Sequence, residues 1–173
     1  MRNLLPPAEL AQRIAQTVPA LQELTAGLEA ALWRLRPANG EWSVTEIICH
    51  LRDVDREVHL SRLRSLIAQK EPFIAGVVSD RWAIERNYQA QDGRAALAEL
   101  AAARIELLAL LPIQEDAIWQ RRGRHTFFGP TSFLELVCLV LEHDELHIEQ
   151  SRETLAVVNK LSNRSGGGQK SQE

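Results

Sequence analysis

Ser132-Phe133-Leu134-Glu135-Leu136-Val137-Cys138-Leu139-Val140-Leu141-Glu142-His143-Asp144-Glu145-Leu146-His147-Ile148-Glu149-Gln150 is the stretch that decides the fold. Its opening, Ser132 to Glu135, is an S-x-x-E capping box, in which the hydroxyl and the carboxylate satisfy free N–H groups at a helix start. With His143 set at 0° and about 100° per residue, Leu136 falls at about 20°, Val140 at about 60°, Leu139 at about −40° and Phe133 at about 80°. His143 and His147, one turn apart, therefore lie within the apolar stripe and point into a core. Glu142, Glu145 and Glu149 fall on the outer side.

A helix this amphipathic needs partner helices, and the rest of the chain supplies them. A first segment spans Pro7 to Leu35, with Leu10, Ile14, Leu21, Leu24, Leu28 and Leu32 on one stripe and a break expected near Thr17, because Pro19 lies inside it. A second opens at Ser43, where Ser43-Val44-Thr45-Glu46 is again S-x-x-E, and runs to Gln69. A short helix over Asp80–Tyr88 and a third main helix over Arg94–Leu111 follow. Residues 112–131 make a connection of a length that is often functional. The fourth helix is expected to end near Val158. The expectation is an all-α four-helix bundle domain over residues 1–160 and a flexible, Gly/Ser-rich C-terminal tail over 161–173.

Composition agrees with one cytoplasmic domain. The chain has 173 residues, 45% hydrophobic, and a net charge of −3. That acidity and the lack of a basic helix argue against nucleic acid as a partner. No stretch approaches the roughly 20 apolar residues of a membrane span, and the N-terminus lacks the apolar core of a signal peptide. Cys49 and Cys138 are too few for a disulfide scaffold and read as small buried hydrophobes.

The histidines carry the chemistry. Two core imidazoles at i and i+4 either hydrogen-bond to other side chains or share a metal ion. The H-E-x-x-H protease motif is excluded, because Asp144 stands where its Glu belongs. His50, at the edge of the apolar stripe of Ile47, Leu51, Val54 and Val58, is the candidate third ligand. His59, nine residues on and about 180° away, is expected to face outward. Three neutral histidines would leave coordination positions open for water or substrate.

Two blocks carry a resemblance. The first is Glu41-Trp42-Ser43-Val44-Thr45-Glu46-Ile47-Ile48-Cys49-His50 with its acidic sequel Leu51-Arg52-Asp53-Val54-Asp55. The second is Phe128-Gly129-Pro130-Thr131-Ser132-Phe133 followed by the H-x-x-x-H helix and Gln150. In order and spacing over residues 10 to 157 they resemble the DinB/YfiT-like superfamily of metal-dependent hydrolases. The resemblance implies an up-down-down-up bundle with its long crossover between the second and third helices. It implies one divalent metal, zinc or nickel, on His50, His143 and His147, and a homodimer. It also implies either hydrolysis or transfer chemistry using a low-molecular-weight thiol, on a small-molecule substrate.

For such an enzyme, Asp53, Glu57 and His125 are the candidate acid–base residues, and Arg121, Arg122 and Arg124 are candidates to grip an anionic substrate or thiol cofactor. The competing reading is a non-catalytic metal- or ligand-binding bundle in stress physiology.

Overall fold

The computed structural model describes residues 4–111 and 116–166. Helix α1 (Pro7–Ala15) and α2 (Thr17–Thr25) form the first arm, broken at Gln16 as the internal proline requires. The arm stops earlier than expected: Ala26 is extended and Gly27 adopts φ +70°, so only α3 (Ala30–Trp33) continues toward Leu35.

The second arm runs through α4 (Val44–Val54), a π-helical turn (Asp55–His59) and α5 (Leu60–Ala68). Its start is the expected capping box. Glu46 N–H donates to Ser43 Oγ, and Ser43 N–H donates to Glu46 Oε2 at 2.9 Å. The crossover contains β1 (Phe73–Ile74), α6 (Trp82–Glu85) and a 3-10 turn (Tyr88–Ala90). Helix α7 (Gly93–Ala109) follows, capped by the Asp92 side chain.

The connection after α7 is not the plain loop expected. It holds α8 (Asp116–Trp119), β2 (Arg122–His125) and β3 (Gly129–Ser132). β2 pairs parallel with β1 and antiparallel with β3, giving a small sheet of order β1-β2-β3. The last arm, α9 (Phe133–Gly166), runs beyond the expected end at Val158 and takes up residues 161–166 of the expected tail. Residues 167–173 of that tail lie outside the described residues.

Two apolar clusters reveal the topology. One joins Val18 and Leu21 of α2, Ile47 and Leu51 of α4, Leu97 and Leu100 of α7, and Leu155 and Val158 of α9. The other joins Leu10 and Ile14 of α1, Leu63 and Leu66 of α5, Leu107 of α7, and Phe133 and Val137 of α9. The first and last arms run from the second cluster to the first, while the two middle arms run the opposite way. This is an up-down-down-up four-helix bundle. Ion pairs Arg56–Glu99 and Arg64–Glu106 climb together along the two parallel middle arms.

Between the clusters lies a buried polar layer: Thr17, His50, Asp55, His59, Arg104, Asp144 and His147 are each less than a tenth exposed. Among the described residues no helix is long and apolar enough to cross a membrane.

Candidate metal centre

His50 from α4 meets His143 and His147 from α9. One ring nitrogen from each lies within 4.8 Å of those from the other two. His50 Nε2 and His143 Nε2 stand 3.1 Å apart. Bonds of about 2.0–2.1 Å to one ion would put two nitrogens about 2.9 Å apart at octahedral and about 3.4 Å at tetrahedral angles, so the observed spacing suits a shared cation.

The proton positions suit it too. His147 Nδ1 lies 2.7 Å from Gln150 Oε1. A carbonyl oxygen only accepts, so Nδ1 carries the hydrogen and Nε2 keeps its lone pair. Burial pushes all three rings toward neutrality. His50 is lowered to about 4 by burial and then the charge of His147. His143 is lowered to about 2 by burial and then the neighbouring histidines. For His147 burial outweighs the opposing hydrogen bond to Gln150. A metal finds these nitrogens unprotonated.

Trp42 closes one side. Its ring stacks on His147 at 12° between planes and tilts against His50, with centroids 5.0 Å apart. Trp42, His147 and Gln150 also line an open cleft of about 790 Å³, together with Glu41, Glu153 and Leu146. Solvent thus reaches one flank of the cluster.

The other candidate residues go elsewhere. Asp53 is buried and accepts from Arg52, Arg86 and Tyr88. Burial alone would raise its carboxyl, but these bonds together hold it below its usual range. It acts on His50 through its charge. Glu57 is exposed and paired with Arg86. His125 sits in β2, where Nδ1 accepts from the Phe127 N–H and the ring stacks on Phe128. Arg121 is spent on the carbonyls of Leu66 and Ile67 at the end of α5. Arg122 and Arg124 are exposed on the strand. None of these six residues lines the cleft beside His147.

His59 corrects the sequence expectation. It is buried, with its ring 5.5 Å from that of His143 and 77° between planes. The π turn is the reason. Leu60 N–H bonds back to Asp55 O, five residues away, and one extra residue in a turn sets the helix phase back by about 100°. His59 thus swings from the outer face toward the core.

Asp144, the residue that excluded the protease motif, is fully buried. It takes both Nη atoms of Arg104, at 2.5 and 2.9 Å, and the Thr17 hydroxyl at 2.8 Å. Arg104 Nε also lies 3.0 Å from Asp55 Oδ2, an ion-pair contact without hydrogen-bond alignment. This network stands directly behind the histidines. An Arg inside the Ala/Leu-rich α7 was its sequence signal.

Comparison with known proteins agrees with the fold. Residues 13–151 match the DinB superfamily. The chain belongs to the DinB superfamily. A solved structure, YfiT from Bacillus subtilis, superposes with a TM-score of 0.75 at 19% identity, covering 96% of this chain and 93% of that one. YfiT is described as a probable metal-dependent hydrolase with an unusual four-helix bundle topology. Within the DinB superfamily that likeness is one of fold. Comparison with curated protein sequences gives no match.

Proposed function

We propose that this chain is a metal-dependent hydrolase of a small-molecule substrate, with one zinc or nickel ion held by Nε2 of His50, His143 and His147. The convergence of three neutral imidazoles on one point, His50 and His147 buried and His143 half-buried, carries the reading. YfiT's description as a probable metal-dependent hydrolase supports it. A divalent ion there supplies Lewis acidity and brings the pKa of water down to about 7.

The chain's own residues do the rest. Gln150 holds the His147 ring in its ligating tautomer. Asp53, kept ionised by Arg52, Arg86 and Tyr88, makes His50 more basic. Trp42 shields the rings from bulk water on one side, and the cleft beside it admits the substrate. Glu41 and Glu153 on the cleft wall are placed to take or return a proton there, whereas Glu149 is tied to Arg152.

Transfer to a low-molecular-weight thiol is the second reading of the same site. Hydrolysis is favoured because the described lining of the cleft contains no Lys or Arg to hold an anionic thiol carrier. The family resemblance further implies a homodimer.

The test is elemental analysis of protein purified without chelator or nickel resin, beside the His50→Ala variant. We expect about one divalent ion per chain, lost in the variant, and metal-dependent turnover of ester or amide substrates. A metal-free wild type that takes up no added zinc or nickel would leave a non-catalytic bundle.

A further inference from the structure

We propose that His59 is the hydrogen-bond partner that orients His143 in the metal centre. The inference rests on the metal-centre reading above and adds a residue to it.

A metal on His143 Nε2 places that ring's hydrogen on Nδ1, where it needs an acceptor. Among the described residues His143 Nδ1 is buried and has no hydrogen-bond partner. His59 Nε2 is likewise buried without a partner. The two rings meet edge to face with centroids 5.5 Å apart, so the two unpaired nitrogens belong to neighbouring rings. A buried polar atom left unpaired is costly, and a hydrogen bond between these two nitrogens would satisfy both at once. His147 already has such a partner in Gln150, supplied three residues along its own helix. His143 has none within α9, because the adjacent Asp144 is committed to Arg104 and Thr17. The π turn supplies the missing group from the facing arm, which accounts for an irregular turn in an otherwise α-helical arm.

His59 is a positioning residue and does not itself ligate. Its removal should therefore weaken metal binding without abolishing it. The test compares wild type, His59→Phe, His59→Gln and His50→Ala for zinc affinity by competition with a chromophoric chelator. Each variant is also read by the visible spectrum of its cobalt(II) form and by the thermal midpoint of the metal-free form.

We expect His59→Phe to bind zinc roughly tenfold to a hundredfold more weakly. Its metal-free midpoint should be unchanged or raised, and its cobalt spectrum altered. His59→Gln, which keeps an acceptor, should recover part of the affinity. Zinc binding by His59→Phe at wild-type strength, or equal loss in the Gln and Phe variants, would overturn the role of His59 and leave the metal centre intact. Wild-type zinc binding unaffected by His50→Ala would overturn the metal centre itself, and this inference with it.

Discussion

His50 Nε2 and His143 Nε2 face each other at 3.1 Å across two arms, from positions 93 residues apart. With no cation between them, one nitrogen must donate to the other; with a cation, both present lone pairs. A cation bound there would therefore couple to folding. Added zinc should raise the thermal midpoint of the wild type, and a chelator should reverse it. His143→Ala should lose this response. Scanning calorimetry with and without metal reads it directly, and an equal response in the variant would contradict the assignment.

Asp144 and Arg104 form the deepest ion pair among the described residues, 0% and 2% exposed. Removing one partner strands a buried charge. Asp144→Ala should cost about 3–5 kcal/mol in urea unfolding. Replacing the cluster together by apolar residues (Arg104→Met, Asp144→Leu, Asp55→Leu) should cost much less than the single change, and comparing the unfolding of the single and triple variants measures the difference. Similar costs for both would show that the network does not act as a unit.

Acid should destabilise the metal-free protein before it protonates the core histidines. Burial, the first cause in each case, lowers His50, His59 and His143 to about 4, 3 and 2, against 6.5 for a free ring. Below pH 6.5 the unfolded chain takes up protons that the folded chain refuses. Stability present above 6.5 is thus lost as pH falls toward the folded values, by about 1.4 kcal/mol per pH unit per ring. Asp55, raised to about 7 chiefly by burial, works the other way. Its contribution is present below the free carboxylate value and is lost as pH rises through 7. Three rings outweigh one carboxyl, so the urea midpoint should fall between pH 6.5 and 5, and fall less steeply in His59→Phe.

Gly93 lets α7 begin against the first turns of α4. A Cβ there would meet Trp33 at 2.4 Å and the Thr45 hydroxyl at 2.6 Å. Gly93→Ala should therefore destabilise by about 1–3 kcal/mol despite alanine's better helix propensity. An unchanged or higher thermal midpoint would show that Trp33 yields freely.

The helical arms and both capping boxes were legible because they depend on local spacing: Ser43 with Glu46, Ser132 with Glu135, and an apolar stripe through Leu136 and Val140. The inward aim of His143 and His147 followed from the same periodicity. The place of His59 was not legible, because an outward phase holds only for an unbroken α-helix and nothing local in Asp55–His59 announces a π turn. The strands β2 and β3 were missed because four residues each, rich in Gly, Arg and Pro, carry no alternating apolar pattern.

By itself the sequence determined which segments coil and which faces are apolar, since hydrogen bonds and side-chain sterics act over three or four residues. Only the tertiary structure decided what faces the histidines. Gln150 could be paired with His147 from spacing, but Arg104, Asp55 and His59 reach the polar layer from other arms. Contacts between distant segments depend on how the arms pack and on where one turn slips by a residue, and neither is written in any local pattern.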